Sequence, residues 1–193
     1  MTTDTSPAPF PVPSFDDEDS DRKLAIICSK GTLDMAYPGL ILANAALGEG
    51  VETHMFFTFW GFDMIMKSRM NDLAFSPVAN TAMHLPLKDV PRPGVLGRVN
   101  LPEEVRMPQA LAPMPGVSTM ATKMMKKQLA AMDVPEVPEF LDQIAAAGGH
   151  LWACRLSADM YDLDESDFRD DIEGVISAAD FIEKTAGAQL LFI

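Results

Sequence analysis

The sequence predicts an α/β fold, a small doubly wound and mostly parallel sheet flanked by helices, and three observations carry that expectation. Short apolar runs at 23–28, 51–59, 150–154 and 188–193 read as strands, the first of them apolar enough to be buried on both faces. Helical patterns lie between these runs, with apolar residues at three- and four-residue steps. A strand, a helix and a second strand follow one another over 23–59, a βαβ unit whose crossover is almost always right-handed.

Taken in order, residues 1–21 hold four prolines and the acidic run Asp16-Asp17-Glu18-Asp19 with Asp21, and they read as a disordered tail ahead of one domain over 22–193. Ser29-Lys30-Gly31-Thr32 is a loop after the first strand. Leu33, Ala36, Leu40, Ala43 and Leu47 form a helical stripe, stopped by Gly48 and Gly50. Pro38 falls inside it, so the helix is expected to start near Tyr37 or to kink there. The aromatic and β-branched run 51–59 is the second strand. Trp60-Gly61 begins a turn, and 62–70 reads as a helix.

The stretch 76–116 breaks the pattern with eight prolines and reads as a long Pro- and Met-rich insertion. Ser118 is placed to cap a helix over 119–132, with Met120, Met124, Met125 and Leu129 on one face and Lys123, Lys126 and Lys127 on another. A helix over 137–147 closes at Gly148-Gly149, followed by the strand 150–154. Residues 159–168 read as a short acidic helical region, 175–186 as a helix ended by Gly187, and 188–193 as a terminal strand.

Composition narrows the function. The chain has 193 residues, 48% of them hydrophobic, and a net charge of −13, which argues against nucleic acid and anionic membranes as partners. No run approaches the roughly 20 apolar residues of a membrane helix. The leader lacks the basic start and apolar core of a secretion signal, so a cytoplasmic location is expected. Two cysteines in a reducing compartment are more useful as thiols than as a staple. Cys28 and Cys154 each close a strand, and reactive groups gather outside the carboxyl ends of parallel strands. Lys30 and Arg155 stand two and one residues away and could favour a thiolate. Against this, cysteine is also a good small core residue, and either reading fits each position.

Other chemistries find less support. Ser29-Lys30-Gly31-Thr32 is half of a phosphate loop, without its first glycine. His54, His84 and His150 are scattered, no CxxC occurs, and no metal or other cofactor is expected. No G-x-S-x-G elbow is present for a serine hydrolase.

The run from Lys23 to Pro38, Phe56-Phe57-Thr58-Phe59-Trp60-Gly61, the run from Met120 to Lys127, and Ala153-Cys154 resemble the DsrE/DsrF/DsrH-like family, in its longer branch often labelled peroxiredoxin-like. The similarity runs from about Lys23 to Ile193. The Thr-x-x-Cys context of a peroxiredoxin is missing. The acidic leader and the length of 84–113 depart from the family pattern. The resemblance implies a homo-oligomeric cytoplasmic sulfur carrier or sulfurtransferase, in which a cysteine holds sulfane sulfur as a persulfide and relays it to a partner. Cys154 matches the sulfur-bearing position, and Cys28 is carried over as a second relay thiol or a disulfide partner. A small sulfur-carrier protein or a rhodanese-type donor would then be the partner. The alternatives are an oligomeric adaptor with structural cysteines, or a small-ligand module using Ser29 to Thr32.

Overall fold

The computed structural model describes residues 22–78, 80, 82–86 and 104–193. The residues expected to form the tail, and 79, 81 and 87–103 of the Pro-rich insertion, lie outside that set. Five parallel strands form the sheet: β1 (Lys23–Cys28), β2 (Glu52–Phe57), β5 (His150–Cys154), β6 (Gly174–Ile176) and β7 (Gln189–Phe192), in the order β6-β5-β2-β1-β7. The expectation of an α/β sheet flanked by helices is met, with one strand more than the sequence suggested. A short antiparallel pair, β3 (His84–Pro86) and β4 (Glu104–Arg106), stands apart from it.

Chain order explains the two layers. Helix α1 (Leu33–Gly48) carries the chain from β1 to β2, and α2 (Val117–Ala131) and α3 (Val137–Ala146) precede β5. These steps move one way across the sheet. From β6, α5 (Ala178–Lys184) returns the chain past β1 to β7, so right-handed crossovers place α5 on the opposite face. Contacts agree: Gly39 of α1 lies against Ile26 and Cys28, whereas Phe181 of α5 stacks on Phe56 with ring centroids 4.5 Å apart.

Register partners in a parallel sheet share a face, and successive residues alternate. Leu24, Ile26 and Cys28 pair with Thr53, Met55 and Phe57, and the last two with Leu151 and Ala153. All eight face α1 and α3. The α5 face carries Ala25, His54, Phe56, His150, Trp152 and Cys154. Ala25, Ile26, Met55, Phe57, Leu151 and Ala153 are wholly buried, which explains why these strands read as continuous apolar runs.

Several boundaries differ from the sequence expectation. Helix α1 begins at Leu33 and runs through Pro38, whose ring is on the exposed face. Its buried residues are Leu33, Ala36, Tyr37, Gly39, Leu40 and Ala43, so core packing outweighs the one donor that proline lacks. After β2 the chain forms a 3-10 turn over Phe59–Met64 rather than a regular helix over 62–70. Gly116, at φ 86°, is the N-cap of α2; Ser118 lies inside the first turn and donates to the Phe75 carbonyl at 2.8 Å. Helix α4 (Arg155–Met160) follows β5 directly, ahead of a short 3-10 turn over Glu165–Asp167. Val175 is a buried strand residue, not the start of a helix, and α5 starts at a Ser177–Asp180 capping box.

Candidate functional site

The loops at the carboxyl edge of the sheet are tied together by backbone and hydroxyl groups. The Cys28 carbonyl accepts from Thr58 N at 3.0 Å, joining the ends of β1 and β2. A Cβ on Gly61 would lie 2.1 Å from that carbonyl oxygen, so only glycine lets the two loops approach so closely. Ser157, in the first turn of α4, bonds Thr58 Oγ1 at 3.1 Å and accepts from Phe59 N at 2.9 Å. Phe59 is left-handed at φ 48°, a costly conformation for an aromatic residue, and the Ser157 bond helps fix it. No local pattern marks this clamp, because Thr58 and Ser157 are 99 residues apart.

The loop Ser29 to Thr32 is closed against the chain itself. Ser29 N and Oγ both donate to the Ile193 carbonyl, at 2.8 and 2.9 Å, and Ile193 N donates to Ile27 O at 2.8 Å. These bonds occupy the crevice between β1 and β7, where the strand order reverses and a doubly wound sheet would take a phosphate. The geometry therefore argues against the nucleotide reading.

The two cysteines are both buried, at 3% and 5% exposed, but they differ in the face they take and in what packs against them. Cys28 faces α1, packs 3.4 Å from the position of a Gly39 Cβ, and burial pushes its thiol up to about 12. Cys154 ends β5 on the opposite face and is the N-cap of α4. It is 5% exposed, beside Trp152 on its own strand. Phe59, Trp60, Leu156 and Met160 are exposed around the start of α4, and Trp60 packs on Tyr161 with ring centroids 5.8 Å apart. Arg155 turns a guanidinium nitrogen to the Val175 carbonyl at 2.6 Å, and Lys30 is exposed at the end of β1. Among the described residues, neither makes a hydrogen bond to a cysteine sulfur.

Strand β2 lies between β1 and β5, so the two cysteines are two strand spacings apart, roughly 10 Å. A disulfide requires α-carbons closer than about 7 Å, and here the side chains also leave opposite faces. The disulfide that neighbouring strands would have allowed is excluded by the strand order, and both cysteines are free.

Two of the three scattered histidines meet. His54 and His150 are register partners on β2 and β5, with rings stacked 4.5 Å apart at 17°. His84 is elsewhere, on β3. Burial pushes His54 below the usual imidazole range, against the raising effect of its bond to Glu52. Within a sequence only the long-range pairing of β2 with β5 could have signalled this contact.

The family model of the DsrE/DsrF/DrsH-like family matches residues 20–193. The chain is 32% identical over 160 residues to the sulfur carrier protein DsrE2 of Allochromatium vinosum, covering 83% of this chain and 91% of that one. It is 26% identical over 177 residues to the uncharacterized protein YrkE of Bacillus subtilis, covering 89% and 97%. Among solved structures, a protein of unknown function from Methanobacterium thermoautotrophicum shares the fold, with a TM-score of 0.50 at 8% identity over 90% of this chain and all of that one. The family-model match over residues 20–193 and the 32% identity across most of both chains lead to one conclusion: the protein belongs to the DsrE/DsrF/DrsH-like family.

Proposed function

We propose that the protein is a sulfur carrier that holds sulfane sulfur on Cys154 as a persulfide and relays it to a partner protein. The position of Cys154 carries this reading: it is the thiol at the carboxyl end of an interior strand and the N-cap of α4, a helix that bears the exposed Leu156 and Met160, while Cys28 packs against α1 with a thiol raised to about 12. The relation to a sulfur carrier at 32% identity supports the same class of chemistry.

The step is redox-neutral. The Cys154 thiolate attacks the outer sulfur of a donor persulfide, an S–S bond forms to Cys154, the donor S–S bond breaks, and the donor leaves as a thiolate. Handover to an acceptor thiol is the same exchange in reverse. Burial of Cys154 shields the loaded sulfur from water and oxidants, and docking on Phe59, Trp60, Leu156 and Met160 admits the donor. On this reading the partner is a small sulfur-carrier protein or a rhodanese-type donor. The chain works as a cytoplasmic homo-oligomer; the exposed Leu190 and Phe192 on edge strand β7 are apolar surface that a second copy would cover.

The test is intact mass of the reduced protein after polysulfide treatment. Wild type and Cys28→Ser each gain one reducible sulfur atom, and Cys154→Ser gains none. Full loading of Cys154→Ser would sink the assignment.

A further inference from the structure

We propose that Glu52, His54 and His150 form a binding site for a divalent transition-metal ion of the zinc class, at the amino end of the sheet. One ligand atom from each residue lies within 4.8 Å of the other two. His150 begins β5 and Cys154 ends it, so the cluster is about 13 Å along the strand from the thiol and independent of the sulfur chemistry. A neutral imidazole pair with one carboxylate is a borderline N/O donor set that suits zinc, cobalt or nickel better than the hard cations.

The surroundings supply the outer contacts such a site needs. His150 Nδ1 bonds Glu173 Oε1 at 2.6 Å, which orients the ring as carboxylates commonly orient metal-bound histidines and leaves Nε2 as its ligand atom. His54, 5% exposed, presents Nε2 to Glu52 Oε1 at 2.8 Å. Its Nδ1 accepts from Trp152 Nε1 across 3.3 Å. Coordination through Nε2 moves the imidazole proton to Nδ1 and gives up that long bond.

Two further adjustments are required. Ligand atoms around a tetrahedral zinc are about 3.4 Å apart, so the cluster must contract and one ring must turn out of the stack. The half-exposed His150 and Glu52 side chains are the parts able to move. Lys23 Nζ lies 3.0 Å from both Glu52 oxygens and holds the place of the cation until metal displaces it. Bound metal would cross-link β2 to β5.

Cobalt(II) alone, titrated into the reduced, tag-free full chain, tests this. One equivalent is expected to give visible d–d bands without thiolate-to-cobalt charge transfer, and to raise the melting temperature. His150→Gln, half-exposed and compatible with folding, is expected to weaken binding about 100-fold or more. Lys23→Gln removes the competing cation and is expected to tighten it a few-fold. Cys154→Ser is expected to change nothing. Absence of saturable binding in millimolar cobalt overturns the proposal. So does an affinity unmoved by His150→Gln, or a charge-transfer band that disappears in Cys154→Ser.

Discussion

Burial alone separates Cys28 from an ordinary thiol, since no charged group contributes to raising it to about 12. That raised value has a consequence for stability. The folded-state pKa exceeds the unfolded value of about 8.5, so the contribution is full below that pH and is lost as pH rises toward 12. A loss of a few kcal/mol is expected across that window. Urea midpoints from about pH 8 to about pH 11 should fall more steeply in wild type than in Cys28→Ala. Native alkylation should likewise spare Cys28 and label Cys154 first. In the sequence the two residues looked alike, each closing a strand. Their difference lies in strand register: Cys28 shares a face with Phe57 and Ala153, and Cys154 takes the other. Register is set by pairing with strands that lie far beyond either local run and leaves no mark on the local pattern.

The individual elements show where local signals suffice. Strands β1 and β5 and helix α3 were legible within about a residue, because each is a strongly apolar or strongly periodic run closed by turn residues. The segment after β2 was not. Its apolar residues suggested a helix, but Gly61 must pass beneath the Cys28 carbonyl, and the chain tightens into a 3-10 turn. Gly61→Ala should therefore lower stability by about 1–3 kcal/mol in a denaturant titration, with the carboxyl-edge loops forced apart. The second miss, β6, hid in an acidic stretch as three residues with Val175 buried. The sequence did contain its end point, since Ser177 and Asp180 have capping-box spacing. Ser177 N donates to Asp180 Oδ2 at 3.0 Å, and Asp180 N donates to Ser177 Oγ at 3.1 Å. Ser177→Ala should cost about 1 kcal/mol by the same titration.

Across the whole molecule, one guanidinium joins parts that the sheet does not. Arg169, 7% exposed, bonds Asp142 at 2.5 Å, the Pro138 carbonyl at 3.1 Å and Asp171 at 2.7 Å, tying α3 to the segment before β6. Asp142 remains largely solvated, but Asp171 is only 26% exposed, so removing the arginine leaves one partly buried carboxylate without its partner. Arg169→Ala should cost about 2–3 kcal/mol through lost packing and charge-assisted bonds, measured as a drop in melting temperature. Nothing in the acidic run around Arg169 marked it as buried; only the assembled layers do. The fold class was legible because alternation of strands and helices is a chain-order property, whereas these ties depend on which layers meet. The strand between the two cysteines has a last effect, on how long a cargo lasts. Many thiol proteins discharge themselves when a second, resolving cysteine attacks the modified one. Here that attack is blocked by β2 and by the opposed faces, so if Cys154 carries sulfur as proposed, Cys28 offers it no internal exit and the sulfur waits for a thiol brought by another molecule.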